Sequence, residues 1–455
     1  MPVQSLRSNL QLLKMPTPSL ILVPARFKTG KLYTPLATTS GGVVLGASGD
    51  FNVTRATTAT RVNASGFIEV VASGVPRLDY YTSGGTAGCP ALLVEPAGTN
   101  LAWHSETWAS GTNWGITSLT IATGTNATLD PFGTNTANAI SPTNASGVHE
   151  LFSNNTTAIT YTSGTIYTQS AFFKQGTGSA GRYVQLTFPS NRFTQAGYAN
   201  FDLQLGTLAT VSGTTADSNR SASIENYGNG WYRCRFTATC NASSTAGGVV
   251  TVLITASGDT RRPSFTGVTG DVLYGFGAQL ETGSVATSYI PTTTTSATRN
   301  AEVISLSGAI SGCIGQTEGT IYAEVDLRNI VGTKAIIALT DGTTDNRIVM
   351  RFTSSTVLAT IIRVAGATND YSVTIPTIPS TGGIYKIAFA YKANDYCLAL
   401  NGTTYASTAT RAVPATNSMA ICQNGFGTDF LNDRIRAVAL YTTRLTDAQL
   451  AALTT

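Results

Sequence analysis

From Phe51 onward, apolar and polar residues alternate in short runs broken by Gly, Ser and Asn turns, the period-two pattern of β-strands. Residues 51–71 contain two alternating runs joined at Asn63, Ala64, Ser65 and Gly66, which predicts a hairpin. The pattern predicts further strands over residues 167–174, 183–188, 222–224, 231–237, 249–254, 320–327, 347–352, 358–364 and 384–391. A second hairpin is expected over 396–405, turning at Asn401 and Gly402. Alternation over 435–440 predicts a half-buried strand, and Thr446 with Asp447, Ala448 and Gln449 forms a capped helix start. Near the beginning, residues 5–14 suit a short helix with Leu6, Leu10 and Leu13 on one face, ended by Pro16 and Pro18. So short a helix cannot bury its stripe alone, so these leucines are expected to dock on another protein or on copies of this one.

These elements predict an all-β chain of several domains. Residues 1–50 form an attachment or oligomerisation segment carrying Arg26, Lys28 and Lys31 in its extended part, followed by a small β region over 51–99. Residues 100–291 read as one larger β-sandwich, because no helical stretch separates its strands. The low-complexity run 292–301, charged only at Arg299, suits an extended linker, and 302–455 makes a last sandwich.

Composition narrows the function. Charged residues are 11% of the chain against an average of about 25%. A 42% hydrophobic content excludes disorder, and 28 basic against 24 acidic residues make too small a charge for a nucleic-acid stripe. No run near the start resembles a secretory signal and no stretch approaches the roughly 20 apolar residues of a membrane span. The six cysteines lack zinc or haem spacing. Cys234 and Cys240 would lie about 20 Å apart on one strand, so all six are read as buried small hydrophobes of a protein made in a reducing cytosol.

Most catalytic chemistry lacks its raw material. The two histidines, His104 and His149, are read as surface or loop residues, and no phosphate-binding loop is present. Glu324 and Asp326 share a strand face, yet they read as the polar side of a one-sided strand rather than the carboxylate pair of a glycosidase. The chain is therefore expected not to be an enzyme and to need no cofactor. Sugar recognition instead needs aromatic platforms beside short amides and carboxylates on loops. Candidates are Trp103, Trp108, Trp114 and Tyr227 in the larger sandwich, and Tyr371, Asn394, Asp395, Asn424 and Asp429 in the last, with Trp231 read as core. Asp341, Asp345 and Asn346 put oxygens in one tight loop, where calcium or a bare turn explains them equally.

Three passages add a resemblance. Pro76, Arg77, Asp79 and Tyr80, then Leu92, Leu93, Val94, Glu95 and Pro96, then Thr99, Asn100 and Leu101 resemble a segment of tailed-phage fibre and tail proteins. The turn Gly228, Asn229, Gly230, Trp231, Tyr232 and the strand Gly277, Ala278, Gln279, Leu280, Glu281 resemble a phage carbohydrate-binding-type sandwich. Leu440, Tyr441, Arg444, Leu445, Thr446 and Gln449 are similar to the ending of concanavalin A-like, laminin-G-type jelly rolls. The resemblance implies a virion fibre or spike on tail or head, made in the host cytoplasm and commonly a homotrimer. It would be docked through its N-terminus to other virion proteins, with jelly-roll domains adhering to a host cell-surface glycan. The alternatives it leaves are a head decoration protein that binds no receptor, or a capsule polysaccharide depolymerase.

Overall fold

The strand expected over 435–440 runs Asp433–Tyr441 and is where distant parts of the chain meet. On one side it pairs with Glu318–Asn329. On the other it pairs with both Leu20–Leu22 and Ala91–Val94, setting Leu20 opposite Leu440 and Leu92 opposite Ile435. This computed structural model describes residues 15–34, 36–39, 42–43, 50–81, 88–109, 113–153, 159–194, 197–213, 217, 219–245, 247–307, 310–330, 332–366, 371–378, 381–407 and 411–455.

Two antiparallel β-sandwiches result, the second inserted into the first. In one sheet of the outer sandwich Thr403–Ser407, Asp395–Leu400, Thr381–Lys392, Glu318–Asn329, Asp433–Tyr441, Leu20–Leu22 and Leu36–Thr39 lie side by side. The facing sheet runs from Phe27–Lys28 through Lys31–Leu32, Phe51–Thr54, Val303–Ser307, Ser418–Ile421, Lys334–Thr340, Arg347–Ser354 and Val357–Arg363 to Tyr371–Ile375. One apolar core joins the two halves of the sequence, with Leu20, Leu32, Phe51 and Val94 packed among Ile321, Ile348, Phe389 and Leu440.

The inner sandwich has six strands in each sheet. Trp114–Thr117, Glu150–Ser153, Val250–Ile254, Tyr183–Thr187, Tyr198–Asp202 and Thr207–Ser212 face Leu119–Ala122, Asn138–Pro142, Val272–Thr282, Ile166–Thr177, Trp231–Thr239 and Ser221–Asn226. At its neck the incoming strand Gly98–Asn100 pairs with the outgoing Ala297–Arg299, so both crossings form one ribbon.

The boundaries drawn at 50, 99 and 302 therefore separate parts that share sheets and a core. The short strands between Leu20 and Val94 pair partly with one another, but Leu20–Leu22, Phe51–Thr54 and Ala91–Val94 each take a further partner from beyond residue 302. Nor is 292–301 a free linker: Thr292 is buried with its N–H donating to Ser105 Oγ at 2.8 Å, and Arg299 is buried. The expected helix with Leu6, Leu10 and Leu13 lies outside the described residues.

Asp433–Tyr441 is buried on both faces rather than one. Ile435, Val438 and Leu440 enter the core between the sheets, while Ala437, Ala439 and Tyr441 lie beneath Leu450 and Leu453 of the helix Asp447–Thr454. The small side chains allow that helix a close seat. Its start is the expected capping box, with Thr446 Oγ1 accepting from Gln449 N and Gln449 Oε1 accepting from Thr446 N. Both hairpins form as read, one turning through Gly66 at φ 81° and the other through Asn401 and Gly402 at φ 44° and 86°.

Candidate functional site

The passage 76–101 lies at the junction of the two sandwiches and is buried. Arg77 places Nη2 2.7 Å from Glu302 and 2.9 Å from Glu95, and its Nη1 donates to Thr60 O and Ser288 Oγ. Arg55 meets Glu302 at 3.0 Å, and Arg299 lies 3.4 Å from both Glu95 and Glu302. Asp79 accepts from Val62 N and pairs with Arg434 at 2.5 Å, and the Arg434 guanidinium lies over the Tyr81 ring. Asn100 bonds four backbone groups across the neck, at Ala102, Ala278, Leu280 and Ile290. Burial works to raise the Glu95 carboxyl, but Arg299, Arg77 and Arg328 outweigh it and hold the group well below the usual carboxylate range. This passage is thus the clasp that fastens the sandwiches, and its charges face one another.

The expected sugar platform is not assembled. Trp108 and Trp114 are buried, their rings 5.5 Å apart, with indole N–H groups donating to Ser105 O and His104 O. They are core because the strand carrying Gly275 leaves room for the Trp108 ring, whose Cζ3 would lie 2.2 Å from a Cβ there. Trp103 is half-buried. Tyr227 is wedged between Tyr81 and Phe172 at 4.9 and 5.0 Å, and Trp231 is core, as read. In the outer sandwich Tyr371 packs on Tyr396, Asn394 shapes a turn by accepting from Arg411 N, and Asp395 pairs with Arg444 at 2.8 Å. Asn424 and Asp429 sit on another loop, bonded to each other at 3.3 Å, with Asp429 3.7 Å from Arg351.

The Asp341 loop is a bare turn. Asp341 accepts from Thr343 N, Thr343 Oγ1 and Asn346 Nδ2, and these bonds, Thr343's first, lower its pKa. Asn346 Oδ1 accepts from Ala365 N, while Asp345 N donates to Thr343 Oγ1. With those oxygens serving the turn, nothing converges on an ion; among the described residues no cluster of three or more His, Cys, Asp or Glu could hold a metal. His149 is buried rather than exposed, stacked on Phe265 at 4.3 Å, and His104 is half-buried. Five cysteines are buried as read, but Cys89 is exposed. Glu324 and Asp326 both face Arg436, at 3.0 and 3.8 Å.

The arrangement best suited to a ligand was not singled out from the sequence. In the inner sandwich Leu151, Val184, Phe201 and Leu253 turn into the core, so by alternation Glu150, Phe152, Val252, Gln185 and Asn200 occupy the other face. Residues 255–267 fold back over that face. Asn200 Nδ2 donates to Ser257 O and Asp259 O, Gln185 Nε2 donates to Thr260 O, and Gln185 Oε1 accepts from Arg262 N. These bonds satisfy two fully buried amides and fix the loop. Beside it opens a cleft of about 380 Å³, lined among others by Arg192, Arg261, Arg262, Glu150, Phe152 and Phe188. Its floor needs Gly248, where a Cβ would stand 1.8 Å from Ser153 Oγ.

Three guanidinium groups thus line the cleft against one carboxylate. Glu150 is held by two nitrogens of Arg262, Nε at 2.7 Å and Nη2. Arg261 donates to neutral acceptors, Thr187 Oγ1 at 2.9 Å and Phe188 O at 2.7 Å. Its pKa is lowered, first by burial and then by the Arg262 charge, with Glu150 opposing. Arg192 is nearly buried on the turn in which its N–H donates to Pro189 O. A further cavity of about 430 Å³ between the sandwiches carries Glu225 and Asp326, whose charges already face Arg235 and Arg436. The signal the sequence offered for the cleft was Arg192 and the pair Arg261, Arg262 in turn-rich segments of a charge-poor chain.

No protein-family model and no curated protein matches this chain. Among solved structures, it is similar to the carbohydrate-binding module CBM40 of the Ruminococcus gnavus IT-sialidase, at 16% identity and a TM-score of 0.29, covering 32% of this chain and 88% of that one. It is similar to the NanB sialidase of Streptococcus pneumoniae at 12% identity and a TM-score of 0.29, over 33% of this chain and 26% of that one. A third likeness is to domain 4 of AbnA, a GH43 extracellular arabinanase from Geobacillus stearothermophilus, at 18% identity and a TM-score of 0.28, over 34% and 73%. At such scores these likenesses carry no argument for what this chain does.

Proposed function

We propose that this chain is a glycan-binding surface protein whose ligand docks in the cleft beside Arg261. The observation that carries the reading is the cleft itself, which has the volume of a small-ligand site, polar donors, and the half-buried Phe152 ring to meet the apolar face of a sugar. The finer reading, a fibre or spike of a tailed-phage virion, rests on the resemblance of residues 76–101 and of the sandwich strands. Under it the molecule adheres to a host cell-surface glycan as a homotrimer, joined to other virion proteins through the segment with Leu6, Leu10 and Leu13. Low charge and β-rich surfaces suit such an appendage, and repeated copies turn weak sugar contacts into firm attachment.

The reading assigns no catalysis. Glycoside hydrolysis generally uses two carboxylates about the scissile bond, and the single one lining this cleft is held bidentately by Arg262. The test is binding of the purified chain to host cells and a glycan array, run beside its mass in solution, for the wild type and for Asn191→Trp, which fills the rim of the cleft. Saturable binding lost in the variant supports the reading. A folded protein that binds nothing belongs with shell decoration instead, and release of reducing ends from capsule would make it a depolymerase.

A further inference from the structure

We propose that the cleft selects saccharides bearing a carboxylate, with Arg261 as the residue that faces the acid group. The inference rests on the cleft being the glycan site and specifies what it takes. Among its lining groups positive charge exceeds negative, because Glu150 is already gripped by Arg262 through two nitrogens. Arg261 has no such counter-charge in its hydrogen bonds, which go to a hydroxyl and a backbone carbonyl. Those two bonds hold the plane of the guanidinium without neutralising it, leaving its remaining donors to a ligand. A fixed, partly desolvated guanidinium is well matched to a carboxylate, which accepts two parallel N–H bonds in the same plane.

Arg192 also lines the cleft, on a fixed turn. The turn from Pro189 is secured twice, by Arg192 N donating to Pro189 O and by Asn241 N donating to Arg192 O at 2.8 Å. Phe152, half-buried, lines the same cleft and offers apolar surface for the ring. A neutral sugar would bury the Arg261 guanidinium with no added anion to offset its lost hydration, whereas an acidic sugar supplies that anion. Discrimination between an acid and its ester follows from the site rather than from overall charge.

The experiment uses the full chain on an array of glycans printed in pairs, each oligosaccharide as the free acid (uronic or sialic) and as its methyl ester, with phosphorylated glycans alongside. Bound members are expected to be free acids, at least tenfold tighter than their esters and weakened by salt. Arg261→Gln should bring acid binding down to the ester level. Arg261→Lys, which keeps the charge but loses the fork, should retain salt sensitivity with most of the tenfold preference gone; unchanged melting of both variants shows that they fold. Equal binding of acid and ester, abolished in both by Asn191→Trp, would overturn the inference while leaving the cleft as the glycan site. Preferential binding of phosphorylated glycans would overturn it as well. Glycan binding that Asn191→Trp leaves untouched, or no binding at all, would remove the cleft reading and this inference together.

Discussion

Arginine sits in two contrasting settings in the molecule. At the junction Arg55, Arg77 and Arg299 are buried and each faces a carboxylate within 3.4 Å. In the cleft Arg261 is half-buried and its bonds go to neutral oxygens. The same side chain is therefore a fastener where its counter-charge is built into the chain and, on the proposed reading, a receptor where that charge is left for a ligand to bring. The difference teaches that a buried cluster of charge is weak evidence of a site until its partners are counted. The junction holds Arg77, Asp79 and Glu95, which stood out in the sequence, yet they are engaged in holding two sandwiches together.

The largest effect expected is at Glu302. Its carboxylate meets Arg55 at 3.0 Å and Arg77 at 2.7 Å and accepts from Glu95 N at 3.0 Å. Glu302→Gln strips the charge from between buried guanidinium groups, a loss of about 3–5 kcal/mol. Urea unfolding should show it, and glycan binding by the folded fraction should be unchanged. A stable Glu302→Gln protein that loses binding would erase the contrast between clasp and receptor. Trp108→Ala should cost a similar amount, about 3–5 kcal/mol, by opening a cavity beneath Trp114 and Phe173. Read as a loop platform, Trp108 would instead lose binding with stability intact, so paired melting and binding curves separate the two roles.

Acid should loosen the clasp. The Glu95 carboxyl is held well below its ordinary 4.5 because Arg299, Arg77 and Arg328 together outweigh its burial. A depressed acid contributes stability in full above the unfolded value and loses it as the pH falls toward the folded one. Stability measured from pH 7 downward should therefore fall below about pH 4.5. Glu95→Gln should be less stable than the wild type at neutral pH, and the gap should close in acid. A gap that stays constant with pH would show that Glu95 acts by shape rather than charge.

Much of the fold was legible because strands announce themselves locally. Alternation marked Ile166–Thr177, Trp231–Thr239 and Thr381–Lys392, and Asn401 with Gly402 marked a hairpin turn. Which strands pair is not a local property. Nothing in Leu20, Ile21 and Leu22 shows that they lie opposite Leu440, Ala439 and Val438, so the insertion of one sandwich into another stayed hidden. The candidate site failed for a related reason. A tryptophan suits a sugar platform and a core equally well, and only packing, such as the space above Gly275 that Trp108 fills, decides between them. The cleft gathers Glu150, Arg192 and Arg261 from three separate segments, and no spacing in the sequence brings them together.

The smallest effect on stability sharpens the comparison most. Arg261→Gln removes two hydrogen bonds to neutral acceptors, but it also removes a desolvated charge beside Arg262, which already lowers the Arg261 pKa. The two changes oppose each other, so the net cost should be about 1 kcal/mol or less. Glu302→Gln, by contrast, leaves its arginines with less counter-charge and nothing gained. Measured together, the variants should divide cleanly, with Glu302→Gln losing stability and keeping its ligand, and Arg261→Gln keeping stability and losing acid preference. A large loss of stability at Arg261 would mean that its bonds to Thr187 and Phe188 are what holds the loop over the sheet. The cleft would then be a second clasp, and the contrast between the two arginine clusters would collapse.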